Sequence, residues 1–294
     1  MAVFRSPAKQ AASVMRELQG SHLKSVGTVR NYEQCLTRVT EWTQTNKLPD
    51  GLRGLTVEQA KTYLSERAQA VGQKTLDMER QAIQAMLTHV TGRLAAGERL
   101  PVTKSDTPQV LTPRAYSPQQ VALICARMTP HNALATEIAY TAGLRAHELL
   151  TLQRRDEQAP DLRPARDEKF AGRPGERYVV IGKGGLTREI QLPSPLAARL
   201  EQCRLDAARQ VTDRGIHYQQ HYAIGGGQPW SNAFSRASTT VLGWSKGGHG
   251  LRHSYAQDRV MELQTLRLSQ EAAKEVVSQE IGHFRPEITD TYLR

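Results

Sequence analysis

The sequence of 294 residues predicts a mainly α protein with a small β-sheet or hairpin, arranged as two domains. Three observations carry that expectation. Apolar residues recur at helical spacing along most of the chain. One short segment alternates like paired strands around a glycine turn. A polar stretch holding three prolines interrupts both patterns near residue 100. The length suits two cores of ordinary size rather than one.

The helices of the first part follow from spacing. Val29, Tyr32, Leu36, Val39 and Trp42 fall on one face of a helix starting near Thr28. Leu48-Pro-Asp-Gly51 ends it. Thr56 and Gln59 form a capping box, each side chain satisfying the other's free backbone N–H. The helix they open carries Val57, Ala60, Tyr63 and Leu64. A third helix runs from about Lys74 through Leu76, Ile83, Met86, Leu87 and Val90. Lys61, Arg67, Lys74 and Arg80 lie between these apolar positions and are candidate contacts for a polyanion. Residues 1–95 form the expected helical domain and 96–114 the linker.

The second domain, 115–294, opens on Ser117-Pro118-Gln-Gln120, a cap, a first-turn proline and a capping amide. Leu134–Leu152 reads as helix broken at Thr141-Ala-Gly143. Residues 156–176, with Pro160, Pro164 and Pro174, read as a solvent-exposed loop. Arg177–Ile181, the turn Gly182-Lys-Gly-Gly185 and Thr187–Leu192 form the clearest hairpin. Helical patterns return at 195–211, 231–242, 250–265 and 271–281.

Composition narrows the function. Lys and Arg number 39 against 29 Asp and Glu, a formal charge of +10, which favours a polyanionic partner. Both parts share the surplus: residues 1–100 hold 14 basic and 9 acidic side chains, and residues 101–294 hold 25 and 20, so each could touch one polyanion. The mean hydropathy of −0.53 and the lack of a long apolar run argue against a membrane span. The first residues lack a secretory apolar core, so a cytoplasmic location is expected. Cys35, Cys125 and Cys203 are too far apart for a disulfide framework or a metal motif. His217 and His221 lack a third ligand, and Gly182-Lys-Gly-Gly185 lacks P-loop spacing. No cofactor is expected.

Other residues suit phosphate. His249 and Arg252 project from the first turn of a helix, whose positive end favours an anion. Arg145 follows a glycine break, and Glu148 three residues on can orient its guanidinium.

Thr141-Ala-Gly-Leu-Arg-Ala-His-Glu-Leu149, His249-Gly-Leu-Arg-His-Ser-Tyr255, and Ile281-Gly-His283 followed nine positions later by Tyr292 resemble the tyrosine recombinase, or phage integrase, family. The hairpin around Lys183 matches as well, and the resemblance spans essentially the whole chain. It implies a two-domain DNA clamp, a helical SAM-like core-binding domain followed by a catalytic domain. It also implies a catalytic set of Arg145, Lys183, His249, Arg252, His283 and the nucleophile Tyr292, with Glu148 in support and no metal. On that assignment Tyr292 attacks a DNA phosphodiester and the two arginines stabilise the transition state. His249 is the candidate base, Lys183 protonates the leaving 5′-oxygen, and His283 donates a further hydrogen bond. The 3′-phosphotyrosyl bond conserves energy, so rejoining needs neither metal nor ATP.

The implied partners are double-stranded DNA carrying a specific recombination site, a homotetramer on paired sites, and an accessory directionality factor. A topoisomerase IB-like relaxing enzyme and a non-catalytic DNA-binding regulator stand as alternatives. Many family members continue past the tyrosine into a helix that docks on a neighbouring subunit. Here only Leu293 and Arg294 follow, so either other surfaces link the subunits or the chain is cut short. About 20 residues precede the first strong helix, too few for a separate arm-binding domain.

Overall fold

The computed structural model describes residues 6–23 and 26–294. Residues 1–5, part of the stretch read as lacking a secretory core, and residues 24–25 lie outside the described residues. The chain divides between Val110 and Leu111 into two compact units.

The first unit is helical: α1 (Pro7–Leu18), α2 (Val26–Thr45), the single turn α3 (Gly51–Gly54), α4 (Val57–Ala68) and α5 (Gln73–His89). Helix α1 was not foreseen, although Ser6-Pro7 repeats the cap-and-proline opening seen at Ser117. Ala11, Val14, Met15 and Leu18, spaced three and four apart, bury its inner face. They join Leu36, Val39, Tyr63, Leu64, Ile83 and Leu87 in one core. The Thr56–Gln59 capping box forms as expected. Much of the stretch read as linker is bound to this unit. Leu100 is buried in its core, Ser105 Oγ donates to the Val71 carbonyl at 2.6 Å, and the Gln73 side chain bonds the backbone of Thr103 and Ser105.

The second unit begins with α6 (Pro118–Ala126), capped by Ser117 and Gln120, and α7 (Pro130–Ala142). Gly143 ends α7 at φ +60, and a Cβ there would stand 2.8 Å from the Tyr255 ring, so glycine is required on two counts. The helix expected to resume as far as Leu152 is only a 3₁₀ turn at Glu148–Leu150. It leads into a short strand, β1 (Gln153–Arg154). That strand pairs antiparallel with β2 (Glu176–Ile181), and β2 with β3 (Thr187–Leu192).

Residues 195–211 depart most from expectation. Helix α8 (Ser194–Glu201) stops early, and the chain forms a second antiparallel hairpin, β4 (Arg204–Asp213) and β5 (Ile216–Tyr222). Its two-residue turn holds Arg214 at φ 51 and Gly215 at φ 79. That paired left-handed geometry matches the right-handed strand twist, so an Arg-Gly turn wins over a weak helical pattern. Helices α9 (Gly227–Leu242), α10 (Gly250–Thr265), α11 (Gln270–Glu280) and the single turn α12 (Pro286–Thr289) complete the unit. Leu134, Ile138, Val180, Ile190, Trp230, Phe234 and Leu251 form its main core. A second cluster of Val260, Leu263, Val276, Val277 and Ile281 includes Tyr292.

The 156–176 loop is not wholly solvated. Phe170 is buried, and its N–H donates to Glu280 Oε1 at 2.7 Å. Arg166 pairs with Glu275 on α11. The loop therefore braces the helix that leads to His283.

Candidate active site

The site assembles around one carboxylate. Glu148 is wholly buried at the 3₁₀ turn after α7. Its Oε1 accepts from Arg145 Nη1 at 2.7 Å and its Oε2 from the Arg145 backbone N–H at 2.8 Å. Arg188 Nη2, from β3, donates to Oε2 at 2.8 Å, and Arg252 Nη1 stands 3.9 Å away. Burial opposes ionisation, but Arg188, Arg252 and Arg145 outweigh it and hold this carboxyl well below the usual range.

Arg252 lies at the start of α10, fully buried. Burial, then the neighbouring Arg145, pushes its pKa down to about 10, so it stays charged at neutral pH. Its Nη1 donates to the Gly143 carbonyl at 2.6 Å and its Nη2 to the Ile281 carbonyl. Its Nε donates to the Tyr292 hydroxyl at 3.3 Å. The left-handed Gly143 and the end of α11 thus present the carbonyls that fix this guanidinium.

His283, just beyond α11, completes the cluster. Its Nε2 is 3.0 Å from the Tyr292 hydroxyl and 3.2 Å from Arg145 Nη2. A guanidinium can only donate, so Nε2 is the acceptor and the ring proton sits on Nδ1. Burial, followed by Arg252 and Arg145, lowers the His283 pKa to about 3, which keeps the ring neutral. The phenol therefore receives a hydrogen bond from Arg252 and offers its proton to His283.

His249, the candidate base in the sequence reading, packs its ring 5.7 Å from that of Tyr292, and the phenol's hydrogen-bonding imidazole is instead His283. Burial and the charge of Arg252 push the His249 pKa down to about 4. His253 is closer, at 4.9 Å between ring centroids, and fully inside.

Arg145, His249, Arg252, His283, Tyr292 and Glu148 are thus brought together within the second unit. Lys183 stands exposed on the hairpin turn. Among the described residues it hydrogen-bonds none of the cluster. The sequence reading missed Arg188. Its signal was the shared inward face with Ile190 and Leu192, where a charged residue needs a buried partner.

The first unit's four candidate DNA contacts differ in availability. Arg67 donates from Nε and Nη2 to the buried Glu79 at 3.0 and 2.9 Å. Arg80 Nη1 donates to the Leu100 carbonyl, and Lys61 pairs with Glu58. Lys74 is exposed. Among the described residues, no three His, Cys, Asp or Glu side chains converge as a metal site, and no helix is long and apolar enough to cross a membrane.

No family model and no curated protein matches the sequence. Solved structures do resemble the fold. XerH site-specific recombinase, in a post-cleavage complex with its palindromic difH substrate, superposes with a TM-score of 0.59 at 14% identity, over 99% of this chain and 94% of that one. The Tn1549 transposon integrase with transposon right-end DNA gives 0.57 at 13% identity, over 99% and 95%. A lambda integrase tetramer on a Holliday junction gives 0.59 at 15% identity, over 97% and 78%. All three are tyrosine recombinases, and the mainly α fold with small antiparallel sheets expected from the sequence is the one observed. The chain has the tyrosine recombinase fold.

Proposed function

We propose that this chain is a site-specific recombinase that cuts and rejoins double-stranded DNA through Tyr292. One observation carries the reading: the Tyr292 hydroxyl lies between Arg252 Nε at 3.3 Å and His283 Nε2 at 3.0 Å. A phenol ordinarily ionises near pH ~10 and needs both a proton acceptor and a stabilising cation to attack. It has both here.

The Tyr292 oxygen attacks the phosphorus as its proton passes to His283 Nε2. A phosphotyrosyl bond forms and the bond to the 5′-oxygen breaks. That oxygen leaves as a hydroxyl, taking a proton from Lys183 on the glycine-flanked hairpin turn. Arg145 and Arg252 stabilise the charge that builds on the non-bridging oxygens. Rejoining reverses each step with a 5′-hydroxyl as nucleophile. Tyr292 sits among its own chain's arginines, so each subunit cuts with its own tyrosine. Exchange between two duplexes requires four such cuts and hence a tetramer on paired sites, the stoichiometry of the lambda integrase complex.

The test uses nicked duplexes of randomised sequence, in which cleavage beside the nick releases a short fragment and blocks rejoining. The wild type should yield a covalent protein–DNA band on a denaturing gel, and Tyr292→Phe none. An adduct with the Phe variant would remove Tyr292 as nucleophile. DNA binding without any wild-type adduct would favour the non-catalytic regulator, and relaxation of plasmid without recombinant joints the topoisomerase-like enzyme.

A further inference from the structure

We propose that Gln257 is a positioning residue for the Tyr292 nucleophile. The inference rests on the recombinase reading above and extends it to a residue outside the motifs.

His249 stands immediately before α10, and Arg252, His253, Ala256 and Gln257 follow at helical spacing along one side of that helix. Three of these side chains surround the phenol: Arg252 through its hydrogen bond, His249 and His253 through their rings. Gln257 holds the backbone instead. Its Nε2 donates to the Tyr292 carbonyl at 3.0 Å and to the backbone oxygen of Arg294 at 3.0 Å, using both amide hydrogens. The same helix therefore fixes the hydroxyl, the ring and the main chain of one residue.

The bracing upstream does not duplicate this clasp. Lys274 on α11 pairs with Asp290 at 3.1 Å, and Thr289 Oγ1 donates to the Lys274 carbonyl at 3.2 Å. Both act before the tyrosine. Beyond them, and beside the bond from Arg252 to the hydroxyl, the Gln257 bonds tie the Tyr292 carbonyl and the Arg294 backbone to α10. Holding the Tyr292 carbonyl fixes the peptide plane from which its side chain projects, and so the direction of the phenol. An attacking oxygen displaced by about an ångström forfeits much of the benefit of positioning.

The test measures single-turnover adduct formation at saturating DNA, on a nicked duplex selected by the wild type. Gln257→Leu removes the donors. Gln257→Glu keeps the shape but presents acceptors to acceptors. Both should form adduct about tenfold more slowly, the effect of losing two half-exposed neutral hydrogen bonds. DNA affinity should stay within about twofold, since Gln257 faces the tail. Gln257→Lys restores a donor to the carbonyls and should recover to within about threefold of wild type. The Gln257→Glu deficit should narrow below pH ~5, where the carboxyl regains an O–H. Hydrogen exchange of the amides of residues 291–294 should quicken in the Leu and Glu variants and not in the Lys variant.

Wild-type rates in the Leu and Glu variants would overturn the proposal. So would a Lys variant as slow as Leu, which would reduce the role to packing. A wild type that forms no adduct on any duplex fails earlier: it sinks the recombinase reading and takes the nucleophile-positioning role with it, whatever exchange shows of the tail.

Discussion

Arg188 on β3 donates from Nη2 to Glu148 Oε2 at 2.8 Å, a pair buried on both sides. The same guanidinium donates from Nη1 to the Glu280 carbonyl at 2.6 Å. It thus joins the hairpin that bears Lys183, the carboxylate that holds Arg145, and the helix end that precedes His283. Three segments distant in sequence are registered by one side chain.

Glu148→Gln tests the centre of that arrangement. Removing the carboxylate leaves Arg145, Arg188 and Arg252 facing one another with no compensating charge. The second unit should lose about 3–5 kcal/mol, the usual cost of breaking a buried pair from one side. Denaturant unfolding followed through Trp230, buried in that unit's core, measures it. A loss below about 1 kcal/mol would place the carboxylate in a far wetter setting than described here.

Acidification should weaken the same unit. The pKa values of His249 and His253 are lowered to about 4 and that of His283 to about 3, in each case first by burial and then by neighbouring cations. In the unfolded chain these rings take up protons near pH ~6.5, so below that the unfolded state binds more protons than the folded one. Stability is therefore level above about pH 6.5 and falls as pH drops toward about 4, histidine by histidine. Thermal midpoints across that range check the sign. His283→Asn should flatten the slope.

Lys183→Ala separates leaving-group protonation from attack. On ordinary nicked DNA, adduct formation should fall roughly 10²–10⁴-fold, the range for loss of a general acid. On the same site with sulfur in place of the bridging 5′-oxygen, the leaving thiolate needs no proton, having a pKa of about 8.5 like other thiols. The variant should then cleave within about tenfold of wild type. An equal loss on both substrates would make Lys183 a phosphate contact and not an acid.

The first unit's cations should divide by what they touch. Arg67→Ala leaves Glu79, wholly buried, with Tyr63 Oη at 2.9 Å and Arg38 Nη1 at 3.8 Å as its remaining partners among the described residues. That unit should lose about 3 kcal/mol. Lys74→Ala should leave stability within about 0.5 kcal/mol. It should weaken DNA binding across sequences, with the log–log salt slope smaller by about one. Fluorescence anisotropy over a salt series, beside denaturant unfolding of each variant, distinguishes the two.

The residues proposed to face phosphate were legible because two arginines, two histidines and a tyrosine stand in boxes that resemble those of a known family, in the same order. Their partners were not. Arg188 meets Glu148 across 40 positions, and nothing local to a strand discloses which distant carboxylate an inward arginine will find. That His283 turns Nε2 toward both the Arg145 guanidinium and the Tyr292 hydroxyl depends on how its ring is oriented. Spacing does not encode that. Helix α1 is signalled by Ser6-Pro7 and by its apolar spacing. In β4 the weak helical pattern running to residue 211 lost to the Arg214-Gly215 turn, which pairs that segment with β5.

The ring of guanidiniums about Glu148 has a further consequence. Three positive groups against a single negative one, with the imidazoles uncharged before attack, leave the site a surplus of two. An intact phosphodiester brings one negative charge, while the five-coordinate phosphorus midway through exchange carries two. On the proposed reaction, the five-coordinate species, which also faces the proton taken up by His283, would be held more strongly than resting DNA, and that inequality would lower a barrier where equal attraction to both would only tighten binding.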